Sequence, residues 1–262
     1  MKKFLNSFLL LALVASLYSC SKDSDDDDGK HGEAVVSFRL TDGPGDFDAV
    51  YLDIEGVEVT MEGHNKVELT PIRPGHYDIL EFRNGTDTLL MEANLPAGKF
   101  QQIRLKLGGD SYVVVDGQTH PLETPSGQQS GIKLNLHNEL AAGGAYDIWI
   151  DFDAAKSIHQ TGNGKFMLKP VIRAYSALTD GRIRGYVLPL AAMTTVYAIN
   201  GADTFAAIPD AVTGYFRISG LPEAKYQVWL DAGVAPYQDM IIPDVQVSFG
   251  TEANIGTITL QP

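Results

Sequence analysis

From Glu33 onward apolar and polar residues alternate over short stretches, and Gly, Pro, Asn or Asp interrupts each stretch at close intervals. That rhythm predicts strands throughout. In Ala34 to Thr41, Val36, Phe38 and Leu40 fall on one face and Ser37, Arg39 and Thr41 on the other. In Ala49 to Glu55, Val50, Leu52 and Ile54 alternate with Tyr51, Asp53 and Glu55. Both read as half-buried strands. Further strands are expected at Val57 to Met61, Tyr77 to Phe82, Phe100 to Leu107, Tyr112 to Val115, Ile132 to Leu136, Tyr146 to Phe152 and Phe166 to Ala174. Gly108-Gly109-Asp110 reads as a hairpin connection, since Gly and Asp tolerate positive φ. One helical turn is expected at Ala154 to Gln160.

After a polar break at Ala177 to Gly181 the pattern restarts with Arg182 to Val187, Thr194 to Ile199, Gly214 to Ser219, Lys225 to Asp231, Asp244 to Phe249 and Ile255 to Leu260. Short strands at this spacing are those of a sandwich. The expected fold is therefore all-β, two consecutive β-sandwich domains over 34–176 and 181–262, with a boundary near Asp180.

The N-terminus follows a different rule. Lys2 and Lys3 precede an apolar run from Phe4 to Leu17 that is too short to span a bilayer and reads as a secretory signal over residues 1–19. It ends in Leu17-Tyr18-Ser19-Cys20, which resembles the bacterial lipobox, and Cys20 is the only cysteine of the 262 residues. The resemblance implies lipidation of Cys20, and several acyl chains anchor stably where one does not. Residues 20–33 then read as the lipidated cysteine and an acidic tether, because a block of like charge cannot form a core. Ser24 to Asp28 resembles the export signal that sends lipoproteins of Bacteroidota to the outer leaflet, so the expected location is the outer membrane, exposed at the cell surface.

One cysteine excludes a disulfide framework and a multi-thiolate metal site. The formal charge is −13, and the folded part is acidic in its own right. This argues against a nucleic-acid partner, since nothing here replaces the counterions around phosphates.

The first domain resembles the bacterial domain-of-unknown-function 4382 family, through Val36 to Ile54, Leu95 to Leu105, Ile150 to Ile158 and Leu168 to Arg173. The resemblance implies a cell-envelope setting and no assigned chemistry. The second is similar to the carboxypeptidase regulatory-like domain, a small prealbumin-like sandwich, through Gly181-Arg-Ile-Arg-Gly-Tyr-Val, Thr213 to Pro222, Tyr226 to Leu230 and Ile255 to Ile258. That family implies a structural or interaction module.

Candidate chemistry is sparse. Asp42, Asp46 and Asp48 surround a Gly-Pro-Gly turn and supply the hard oxygen ligands that Ca²⁺ prefers, with Asp151 and Asp153 as further carboxylates. Asp is equally a turn former. His120 and Glu123 have a zinc-carboxypeptidase spacing without the downstream His or the large α/β domain that such enzymes need. Ser111 follows Gly109-Asp110 as in one esterase class, with no base assignable. Trp149 and Trp229 are expected as core anchors, with sugar stacking as the alternative. Asp87-Thr88-Leu89 resembles a short O-glycosylation motif at Thr88, which requires an exposed loop. No catalytic set emerges. The expected function is a non-catalytic, lipid-anchored surface module that binds glycan, protein or an envelope complex. A structural adhesin or pilin-like subunit is the alternative and a hydrolase built on Asp151 and Asp153 the third reading.

Overall fold

The computed structural model describes residues 32–125, 131–134, 136 and 139–262. Residues 1–31, and with them the signal segment, Cys20 and nearly all of the tether, lie outside the described residues. The strands in chain order are β1 (Glu33–Gly43), β2 (Ala49–Met61), β3 (Val67–Leu69), β4 (Gly75–Asp78), β5 (Thr88–Pro96), β6 (Gly98–Leu107), β7 (Tyr112–Val115), β8 (Gln118–Glu123), β9 (Ile132–Leu134), β10 (Glu139–Leu140) and β11 (Ala145–Asp153). After the single turn α1 (Ala154–Ser157) come β12 (Ile158–Gln160), β13 (Phe166–Leu168), β14 (Ile172–Ser176), β15 (Gly181–Leu188), β16 (Thr195–Asn200), β17 (Asp203–Ala207), β18 (Tyr215–Leu221), β19 (Ala224–Asp231), β20 (Met240–Val247) and β21 (Glu252–Thr259).

They form two sandwiches, so the all-β expectation holds. In the first, a four-stranded sheet in the order β14-β11-β1-β5 packs on a larger sheet built around β2. β1 is central, parallel to β11 and antiparallel to β5. Its inward residues Val36, Phe38 and Leu40 meet Ile148, Ile150 and Phe152 of β11 and Val50, Leu52 and Ile54 of β2 in one core, all fully buried. Each such side chain contributes about 1.5–3 kcal/mol by leaving water. The second sandwich pairs the sheet β18-β15-β21 with the sheet β17-β16-β19-β20. It closes over a separate core that includes Ile183, Val187, Phe216, Tyr226, Val228 and Leu230.

Several expectations are corrected. Ala49–Glu55 and Val57–Met61 are one strand, β2, with a register shift against β6 at Glu55–Gly56. There a Cβ on Gly56 would come within 2.9 Å of the Leu69 carbonyl oxygen. The expected strand Tyr77–Phe82 is strand only to Asp78. Asp78 then caps a 3₁₀ turn, Ile79–Phe82, by accepting from the Leu80 N–H. The expected helical turn stops at Ser157, and Ile158–Gln160 are β12.

Gly108-Gly109-Asp110 does not close a hairpin. β6 and β7 lie end to end along one edge of β2, where Leu107 faces Ile54 and Tyr112 faces Tyr51, while β3 and β4 line its other edge. Gly108 to Ser111 are the bulge between them, held by the Gly108 N–H on the Asp53 carbonyl and by the Asp53 N–H on Ser111 Oγ. The true tight hairpin joins β7 to β8 through Asp116-Gly117, both at positive φ, the Asp-Gly signature of such turns.

Candidate functional site

The aspartates of the β1–β2 connection go to separate tasks. Asp42 continues the inward face of β1 after Leu40 and is 7 % exposed. Neither of its carboxyl oxygens has a hydrogen-bond partner. Burial, reinforced by the nearby charges of Asp151 and Asp153, holds this carboxyl well above the usual range, and the Ala154 N–H, close by but outside hydrogen-bond geometry, and the Arg83 charge offset only part of that. Asp46 is exposed, and Asp48 accepts from the Gly117 N–H at 2.8 Å. Among the described residues no three His, Cys, Asp or Glu side chains are placed to hold a metal ion. Asp42, Asp46 and Asp48 therefore do not form the Ca²⁺ cluster that their spacing suggests.

The other candidates are engaged structurally. Ser111 is buried in the β6–β7 bulge rather than in a hairpin. His120 packs on the Phe166 ring at 4.9 Å, and Glu123 pairs with Lys165 at 2.6 Å. Asp153 caps α1 through the Lys156 N–H and pairs with the Lys156 ammonium at 2.8 Å. Asp151, though on the same strand face, is bound by Arg173 Nε at 2.7 Å. Thr88 opens β5 and is half-buried, opposite Leu40 of β1, so the exposed loop expected around it is replaced by a strand.

The tryptophans are corrected too, since neither belongs to a core. Trp229 stacks on Tyr197 at 5.0 Å on the outer face of the β16–β19 pair and donates to Asp239. Trp149 stacks on Tyr175 at 5.6 Å and donates to Asp87 Oδ2 at 2.9 Å. Outward positions of β11 and β14 bring these two rings together because Trp149 and Tyr175 are direct cross-strand partners.

That pair stands at the junction of the two sandwiches, where side chains of the first reach main-chain carbonyls of the second. Arg173, also outward on β14, donates to Asp151, to the Gly220 carbonyl at 2.7 Å and to the Ser219 carbonyl at 2.8 Å, and its guanidinium lies 4.6 Å over the Phe205 ring. Asn84 donates to the Ile208 carbonyl and accepts from the Arg217 N–H. Lys156 reaches the Thr204 carbonyl. Gly220 sits at positive φ with its Cα against the Tyr175 ring, so close that a Cβ there would meet the ring at 2.5 Å.

Between these contacts a cavity of about 120 Å³ remains. The Trp149–Tyr175 stack, Asp87, Asp180, Arg182 and Arg217 line it. Arg39 Nη1 holds Asp87 Oδ1 at 2.8 Å, and Asp180 accepts from the Thr179 hydroxyl and the Ser176 N–H. Sequence reading does not find this site because its residues come from both sandwiches. One signal was present. The second sandwich has four cations, Arg182, Arg184, Arg217 and Lys225, and Arg182 and Arg184 share a strand face by alternation.

Among the described residues no helix is long and apolar enough to cross a membrane. Residues 33–170 match the family described as domain of unknown function (DUF4382). A search of curated proteins returned no match. Among solved structures, a cohesin–X-dockerin complex of Acetivibrio cellulolyticus aligns at 22 % identity over 30 % of this chain and 56 % of the other, with a TM-score of 0.25. The major pilin subunit of Bacillus cereus aligns at 11 % identity over 88 % and 100 %, and a fimbrial protein of Bacteroides ovatus at 10 % over 88 % and 50 %, each with a TM-score of 0.25. This chain spans just over half the length of the first of these, and likenesses at such scores carry no functional argument.

Proposed function

Since the chain belongs to the domain of unknown function (DUF4382) family, we propose, on the geometry and on its N-terminal sequence, that it is a non-catalytic binding module. In this reading it is tethered through lipid on Cys20 to the outer membrane and displayed at the cell surface. Residues 34–176 form the family domain and residues 181–262 a carboxypeptidase regulatory-like sandwich carried beside it.

The observation that supports this reading is the junction. Arg173 and Asn84 fix one sandwich against the other through main-chain carbonyls, while the space left between them is lined by aromatic rings and charged groups. Clefts between domains with a few convergent polar groups are where small ligands are commonly held. Three of the candidates for nucleophile, acid or base that the sequence offers are committed to structure: Ser111 to the Asp53 N–H, Asp151 to Arg173 and Asp153 to α1.

The test is made on intact cells of the producing bacterium. Surface proteolysis should remove the chain from whole cells, and mass spectrometry of the native N-terminal peptide should show acylated Cys20. Protection from protease, or a free thiol at Cys20, would overturn the anchored and displayed part of the reading.

A further inference from the structure

The outer face of the β18-β15-β21 sheet carries a charge arrangement that folding alone does not call for. Arg184 of β15 and Arg217 of β18 are direct cross-strand partners. Like charges in that position repel. A single carboxylate, Glu252 of β21, serves both: its Oε1 lies 2.6 Å from Arg184 Nε and its Oε2 3.5 Å from Arg217 Nε. Neither Nε is aligned to donate a hydrogen bond, although both are buried. Arg182, two residues before Arg184 on the same face, has no ion-pair partner among the described residues. Three of the four cations of the second sandwich thus gather on one face of an otherwise acidic chain.

Two of them, Arg182 and Arg217, line the cavity at the junction. The carboxylates there are already engaged, Asp87 with Arg39 and Trp149, Asp180 with Thr179 and the Ser176 N–H. The groups left with unused hydrogen-bonding capacity are the guanidinium N–H donors, and what they call for is an oxyanion. Guanidinium forks match carboxylates in a bidentate way. The same cavity is lined by the Trp149–Tyr175 stack, aromatic surface of the kind that takes the face or edge of a sugar ring. A closed apolar cavity of about 150 Å³ holds a benzene ring. The cavity here, about 120 Å³ and not fully enclosed, has room for a carboxylate with the adjoining part of a pyranose.

We propose that this junction cavity binds an acidic sugar, a uronic acid residue, with the carboxylate on Arg182 and Arg217 and the ring against Trp149. The proposal deepens the binding-module reading and rests on it, but its test is made in solution and is independent of where the protein sits in the cell.

The full chain in detergent, carrying Trp229→Phe so that Trp149 is the one indole left, is titrated with D-galacturonate, D-galactose and sodium sulfate while tryptophan fluorescence is followed. Saturable quenching is expected with galacturonate, with galactose at least tenfold weaker. Arg182→Gln, which removes a guanidinium free of structural partners, should weaken galacturonate at least tenfold while leaving the unfolding midpoint unchanged. Absence of a saturable response to galacturonate overturns the proposal, as does an Arg182→Gln variant that binds galacturonate as the parent does. Sulfate or galactose binding as tightly as galacturonate overturns the assignment to a sugar acid. Protease protection on cells combined with galacturonate binding in solution would remove the display reading and keep the site.

Discussion

Asp42 is the residue whose chemistry departs furthest from its surroundings. An aspartate on the core-facing side of β1, without a hydrogen-bond partner, keeps its proton in the folded state at a pH where the unfolded chain gives it up. The unfolded carboxyl titrates near its ordinary value of about 3.9. Below that pH both states are protonated and burial of the group carries no ionisation penalty. Above it the unfolded state sheds the proton and the folded state does not, so stability falls as pH rises until Asp42 itself ionises. Asp42→Asn is therefore expected to match the parent near pH 3 and to be the more stable of the two at pH 7. Urea unfolding across that range checks it, and a difference independent of pH would refute it. Arg173 is the opposite case, a charge whose three nitrogens all have acceptors. Arg173→Ala leaves Asp151, whose side chain is 8 % exposed, without its counter-charge. Removing one partner of a buried pair costs about 3–5 kcal/mol, so a loss near the lower end is expected in the same assay because the guanidinium is partly exposed. Arg173→Lys should fall between, since an ammonium cannot reproduce three directed bonds from a planar fork.

At the scale of elements, alternation alone locates β1, β2, β6, β11, β15 and β19, because along each of them alternate residues enter a core. It does not announce β5 or β17. β5 reads Thr-Leu-Leu-Met-Glu-Ala-Asn-Leu-Pro, an apolar cluster without strict period two, and only its pairing with β1 declares it a strand. The glycine stretch Gly108-Gly109 misleads because a hairpin and a bulge use the same residues, and what separates them is which strand the next segment pairs with. The bulge also gives a paired test. A Cβ on Gly108 would lie 1.9 Å from Asp53 Oδ2, whereas one on Gly109 meets nothing within 4 Å. Gly108→Ala obliges the Asp53 carboxylate to swing away and give up the Asp110 N–H, a hydrogen bond of about 0.5–1.5 kcal/mol, and Gly109→Ala should cost less. Equal effects of the two substitutions in urea unfolding would contradict the bulge geometry. The edge strand β20 is blunted by Pro243, which has no N–H to offer, and by Asp244 at φ 56°, next to a break in its register with β19. Such devices oppose strand addition from another chain.

For the whole molecule, the blunted edge of β20 bears on the pilin-like alternative. The full chain in detergent is expected to run as a single species in light scattering and on gels without boiling. A ladder of heat-sensitive polymers would favour the assembly reading. The two-sandwich architecture was legible from sequence, since periodicity and turn residues are local. The junction was not, because Trp149, Tyr175, Arg182 and Arg217 acquire their meaning only when a strand of one sandwich meets a strand of the other. Outward-facing residues obey no periodicity that would announce a partner.

The placement of β1 has a mechanical corollary. The strand starts at Glu33, where Gly32 and Glu33 bond to Ala97 and Gly143, and ends beside the second sandwich, where Thr41 borders the junction cavity. At roughly 3.3 Å per residue its eleven residues run about 36 Å. A pull on the chain ahead of Glu33 directed along the strand loads β1 first. It meets the hydrogen-bond ladders to β11 and β5 in shear, with every rung loaded together, whereas a strand peeled sideways would yield one rung at a time.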